Sequence, residues 1–149
     1  MDPKEHLTDW LLKDRDYRRK HRASDGYYYS GISDFVLQHG VWYSPIPFPA
    51  GIRKGRSRYC FLNAALKAIE ERQSFKYVEG YALYPKMAPV HHAWNLDGDG
   101  KLFDRTWKNG GTAYLGVVFS TTRATTADRW CYGVFNNPDS ILKEPWTGE

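Results

Sequence analysis

The stretch Cys60-Phe61-Leu62-Asn63-Ala64-Ala65-Leu66-Lys67-Ala68-Ile69-Glu70 decides the reading of this chain. Its apolar residues recur at helical spacing. That predicts a helix over about residues 59–72, with Leu62, Ala65, Leu66 and Ile69 on its buried face. The cysteine stands in the first turn, where backbone N–H groups point at the side chain and the helix dipole favours thiolate over thiol. A lone cysteine is most often a small core residue. This one is followed by His92, in His-Ala-Trp-Asn, and by Asp104, in Phe-Asp-Arg-Thr-Trp. Thiol, imidazole and carboxylate in that order are the parts of an activated nucleophile. The imidazole takes the thiol proton. The carboxylate fixes the tautomer of the imidazole and stabilises its charged form.

Outward from the helix, residues 75–84, 90–96, 101–107 and 113–119 read as strands. The first alternates and is rich in β-formers, and the last is apolar without alternation, which predicts a central position. Whether His92 and Asp104 meet depends on the turn between their strands, because side chains alternate faces. A three-residue loop of Gly98, Asp99 and Gly100, with Gly100 left-handed, pairs Asp97 with Lys101 and puts His92 and Asp104 on one face as diagonal neighbours. His91 then lies on the other face. The same segment, Asn95-x-Asp97-x-Asp99-Gly100, imitates the start of a calcium loop, but its twelfth position is Thr106, where a glutamate is required. The cysteines do not have zinc-site spacing. No metal or cofactor is expected.

The rest of the chain is less telling. Asp2 and Pro3 suit a helix start, and Leu7, Trp10 and Leu11 form an apolar stripe after them. The cations Arg15, Arg18, Arg19, Lys20 and Arg22 suit a solvated helix end, with a phosphate-contacting arm as the sharper reading. A short helix capped by Ser33-Asp34 runs through Gln38 to Gly40. Prolines 45, 47 and 49 exclude regular structure over 44–50. Residues 121–129 read weakly as a helix and Tyr132-Gly133-Val134-Phe135 as a last strand. At 149 residues, 42% apolar and 26% charged, the composition is that of one globular domain, with residues 1–50 an N-terminal helical and loop extension. A net charge of +4 is too modest to argue for nucleic acid. The charged N-terminus shows no secretory signal and no run is long enough to span a membrane, so a soluble, cytoplasmic protein is expected. In that compartment Cys60 and Cys131 stay reduced. Cys131, between Trp130 and Tyr132, reads as a packed thiol.

Taken together, residues 60–107 of 149 resemble the core of transglutaminase-like proteins, within the papain-like superfamily. The matches are Cys60 opening a helix, then Tyr77-Val78-Glu79-Gly80-Tyr81, His92-Ala93-Trp94, and Asp104-Arg105-Thr106-Trp107. Arg105 stands where the family often has proline. The resemblance implies an α+β fold in which a helix bearing the nucleophile packs on an antiparallel sheet. It implies Cys60 as nucleophile, His92 as base and Asp104 as orienting acid, and it selects His92 over His91. Gln38 becomes a candidate oxyanion donor beside the Cys60 N–H, as an upstream glutamine is in papain-like enzymes. The family holds peptidases, amidases, deamidases, acyl transferases and crosslinking enzymes, as well as members that have lost activity.

The expected reaction is attack by Cys60 on an amide or related acyl carbon of a peptide, protein or small amide, through a thioester. Hydrolysis comes first, since a small lone domain shows no second acceptor site, and acyl transfer next. Arg53, Lys54, Arg56 and Arg58 crowd the approach to Cys60, and Trp94 is grouped with the arginines as lining it. These cations either form an exposed loop or add positive potential that favours acidic substrates. The reading from another class is a basic module that contacts nucleic acid through residues 13–22 and 53–58, with Cys60 merely structural.

Overall fold

The computed structural model describes the whole chain except residues 23–25, 45, 48–49, 52, 72–73, 108–109, 126–131, 137–140 and 149. The expected packed thiol Cys131 and the second half of the 121–129 helix lie outside the described residues. Helix α1 (Pro3–His21) starts as its sequence dictates, with Asp2 as N-cap accepting the Glu5 N–H at 3.3 Å and Pro3 in the first turn. Helix α2 spans Ile32–His39. Its N-cap is Gly31, not Ser33-Asp34. Asp34 instead sits buried in the first turn and accepts the Ser30 N–H at 2.8 Å. Strand β1 (Val41–Tyr43) follows, then α3 (Cys60–Glu70), β2 (Lys76–Leu83), β3 (Val90–Leu96), β4 (Leu102–Phe103), β5 (Ala113–Phe119) and α4 (Thr121–Thr125).

The architecture is α+β. Five antiparallel strands form one sheet in the order β1-β5-β2-β3-β4. The apolar strand β5 is interior, between β1 and β2, while β2 holds the centre. The short β1 was not legible as a strand. It ties residues 41–43 of the N-terminal segment to β5, so that segment is more than helix and loop.

Strand parity divides the sheet into two faces. On one, Tyr77, Tyr81, Ala93, Leu115, Val117 and Phe119 pack against Leu7 and Leu11 of α1, Phe35 and Val36 of α2, and Ala64, Ala65 and Ala68 of α3. On the other, Val78, Ala82, Trp94, Leu96, Leu102 and Tyr114 form a second cluster. At the crossing of β2 and β5 the backbones come so close that a Cβ on Gly80 would lie 2.1 Å from the Leu115 carbonyl oxygen, so only glycine fits there.

Helix α3 lies on the sheet by a different face from the expected one. Its buried residues are Cys60, Asn63, Ala64, Ala65 and Ala68, while Leu62 and Leu66 are half-buried and Ile69 is exposed. Alanines allow the helix axis to approach the strands closely, which a leucine stripe would prevent. The expected last strand, 132–135, is not a strand. The Val134 and Phe135 N–H groups donate to the Glu79 carboxylate at 2.7 and 3.2 Å, and this buried acid also accepts from Tyr77 and His91. Backbone donors committed to a carboxylate are lost to a strand ladder.

Candidate active site

The turn that brings His92 and Asp104 together is the three-residue one. Asp97 N–H donates to the Lys101 carbonyl at 2.9 Å, Gly100 has φ +76°, and Asn95 pairs with Phe103 and Leu96 with Leu102. That register places His92 and Asp104 on the same face. Strand β4 then stops at Phe103, well short of the expected residue 107. The cause is Asp104 itself, whose Oδ1 accepts the Thr106 and Trp107 N–H groups at 3.0 and 3.1 Å and turns the chain. Because β4 is so short, β3 has no β4 partner alongside His92, and the turn 104–107 occupies that place. The first turn of α3 reaches this turn through Asn63, whose Nδ2 donates to Thr106 Oγ1 at 2.9 Å.

His92 Nε2 lies 2.8 Å from Asp104 Oδ2, and the Cys60 side chain is near enough to act electrostatically on the same ring. With Nε2 committed to the carboxylate, Nδ1 is the nitrogen left for the sulfur. Cys60 is the first residue of α3. The N-cap, Tyr59, makes no side-chain capping bond, so no side chain competes for the first N–H groups of the helix. His92 and Asp104 are buried, and Cys60 is nearly so at 9% exposure, which leaves the thiol at the boundary with solvent. His91 is on the opposite face, 2.8 Å from Glu79.

The electrostatics are those of a charged pair in a dry place. Burial pushes the His92 imidazole down, but the hydrogen bond to Asp104 and the influence of Asp104 and Cys60 outweigh it and lift its pKa from 6.5 to about 9. Asp104 is pulled up by burial and held below its ordinary value by His92, by Tyr114 and by the Trp107 N–H. Two residues around this pair were not assigned from the sequence. Trp107 stacks on the His92 ring with centroids 3.9 Å apart and planes 15° apart, covering it from water. Tyr114 donates its hydroxyl to Asp104 Oδ2 at 2.7 Å and accepts the Gly111 N–H at 2.6 Å. The Asp-x-x-Trp spacing points to Trp107. Tyr114 needs the position of β5, which only the sheet order reveals.

Two candidates are corrected. Trp94 shares His92's face but is 1% exposed, packed edge-on against Tyr114 in the second core cluster, with Gly116 making room for its ring. It is a core residue and lines no approach. Gln38 is exposed on α2 and donates to Asp34 Oδ1 at 3.0 Å, with no hydrogen bond to Cys60 among the described residues. Arg53, Lys54, Arg56 and Arg58 are exposed on the loop leading into Cys60, as expected.

The imitation of a calcium loop dissolves. The Asp97 carboxylate caps its own turn by accepting the Asp99 and Lys101 N–H groups at 2.9 Å, and Asn95 is buried beneath α3, donating to the Ala64 carbonyl. Among the described residues no helix is long and apolar enough to cross a membrane. Comparison of the chain with protein-family models, with curated proteins and with solved structures gives no match.

Proposed function

We propose that this chain is a papain-like or transglutaminase-like cysteine enzyme that cleaves an amide or related acyl bond. The observation that carries the reading is the buried His92–Asp104 pair, with Cys60 near enough to shift the imidazole and placed in the first turn of a helix. In the first step the Cys60 thiol gives its proton to His92, the sulfur gives an electron pair to the acyl carbon and the carbonyl π pair moves to oxygen. The α3 N–H groups, that of Cys60 first, stabilise this oxyanion. The oxyanion collapses, the C–N bond breaks, and the His92 imidazolium gives its proton to the departing amine. A thioester on Cys60 remains. His92 then takes a proton from water as the water oxygen attacks the thioester, and collapse expels the Cys60 thiolate with the acid product. An amine in place of water gives acyl transfer by the same steps. Asp104 holds the ring so that Nδ1 carries the proton exchange, and its four donors keep it an anion.

A simple activated ester tests the chemistry without knowledge of the natural substrate. With p-nitrophenyl acetate the protein should release a burst of p-nitrophenolate and acquire a hydroxylamine-labile acetyl group on the Cys60 peptide. Cys60→Ala should show neither. Acetylation confined to lysines, or an unchanged burst in Cys60→Ala, would refute the proposal.

A further inference from the structure

The loop before Cys60 carries positive charge that no ion pair neutralises among the described residues. No Asp or Glu occurs from Gly51 to Ile69, while Arg53, Lys54, Arg56 and Arg58 fall within six residues. All four are exposed, and Arg105, on the turn that follows Asp104, is half-buried beside them. Lys54 donates to Ser57 Oγ at 2.9 Å and the Arg56 guanidinium lies over the Tyr59 ring at 4.4 Å, contacts that leave both charges in place. Among the described residues no ion pair involves any of these five cations. In α1, by contrast, Lys13, Arg15, Arg18 and Arg19 are each paired with an aspartate. Asp104 is the carboxylate of the site, and both its oxygens are already spent on four donors.

The backbone that carries these cations is tied to the site. The Gly55 N–H donates to the Arg105 carbonyl at 2.8 Å, and Asn63 of α3 bridges the Arg56 carbonyl and Thr106 Oγ1 at 2.8 and 2.9 Å. A Cβ on Gly55 would lie 2.6 Å from Asn63 Cγ, so the loop is seated directly on the helix that bears the thiol. Arg58 holds φ +68°, a left-handed conformation that a non-glycine residue seldom takes and that persists where the surroundings impose it. A cluster of cations on a loop tied to the nucleophile's helix selects for anionic partners before any contact with the reacting bond.

We propose that the substrate of this site is an acidic peptide segment, with Asp or Glu side chains next to the scissile acyl group held by Arg53, Arg56, Arg58 and Arg105. This rests on the reading of Cys60 as a nucleophile. A carboxylate-bearing peptide is favoured over a nucleic acid because the proposed nucleophile attacks an acyl carbon, which a peptide presents and a nucleic acid backbone does not.

Two measurements test it, and each separates from the test of the nucleophile itself. The first compares alkylation of Cys60 by anionic iodoacetate and neutral iodoacetamide, in the wild type and in Arg56→Gln/Arg58→Gln. The imidazolium of His92 is common to both proteins, so only the rim differs. The ratio of iodoacetate to iodoacetamide rates should fall roughly five- to tenfold in the variant at low ionic strength, and the difference should shrink in high salt. An unchanged ratio overturns the proposal. The second measures binding of a fluorescein-labelled Glu-rich peptide and a Gln-rich peptide of equal length to Cys60→Ala, which needs no reactive thiol. The acidic peptide should bind about tenfold more tightly, and Arg56→Gln/Arg58→Gln in the same background should remove the preference. Equal binding of the two peptides, or tighter binding of a single-stranded oligodeoxynucleotide than of the acidic peptide, overturns it.

Discussion

Replacing His92 by alanine is expected to slow alkylation of Cys60 several-fold or more near neutral pH, because the acceptor of the thiol proton is removed. Turnover of p-nitrophenyl acetate should fall further, by roughly 10²–10⁴-fold, since the base is lost in both acylation and deacylation. The reason is geometric. His92 is the one imidazole on the Cys60 side of β3, and its neighbour His91 is turned to the other face and held by Glu79. A strand cannot exchange the two without a register slip that would move every side chain of β3. His91→Ala is therefore the control. It should disturb the Glu79 cluster and stability, yet leave alkylation of Cys60 in any folded protein within about threefold of the wild type. Equal effects of the two substitutions on Cys60 reactivity would exclude His92 as the proton acceptor.

Asp104→Asn should leave a folded protein with turnover reduced roughly 10³–10⁴-fold. The new amide keeps an oxygen for the Thr106 and Trp107 N–H groups. Its NH₂ then donates to His92 Nε2, which forces the ring proton onto Nδ1, facing Cys60. In that tautomer the imidazole has no lone pair for the thiol proton. The same substitution should flatten the pH dependence of stability. The His92 pKa is raised from 6.5 to about 9 in the fold, so its contribution is fully present below pH 6.5 and lost as pH rises through about 9. The depressed Asp104 pKa acts in the opposite sense, with its contribution present above the ordinary value and lost as pH falls through the folded one. Urea titrations should therefore show the wild type losing on the order of 3 kcal/mol between pH 6 and pH 10, and Asp104→Asn losing much less. A wild-type stability that rises over that interval would contradict the pairing.

What was legible in the sequence was whatever is decided locally. The helix from Cys60 and the strands 76–83, 90–96 and 113–119 follow from short-range periodicity, and the hairpin register follows from Gly98 and Gly100, so the meeting of His92 with Asp104 could be anticipated. What failed depends on neighbours distant in the chain. The depth to which α3 sinks is set by sheet spacing, so the alanines rather than the leucines are buried. Trp94 has the parity of His92, but only the sheet order shows that β5 and Gly116 enclose it. Residues 132–135 have the composition of a strand, yet the buried Glu79 captures their N–H groups. Tyr114, which completes the shell of Asp104, lies ten residues beyond it with nothing local to connect them.

The most direct test of Cys60 as an activated nucleophile uses the second cysteine of the chain as an internal reference. Native protein is pulsed with limiting iodoacetamide near neutral pH, quenched and digested, and the alkylated fractions of the Cys60 and Cys131 peptides are compared by mass spectrometry. With His92 as the acceptor of the Cys60 proton, Cys60 is expected to be modified well before Cys131 in the wild type, with that advantage lost in His92→Ala. Modification of Cys131 first in the folded wild type, or a Cys60 rate that His92→Ala leaves unchanged, would contradict it.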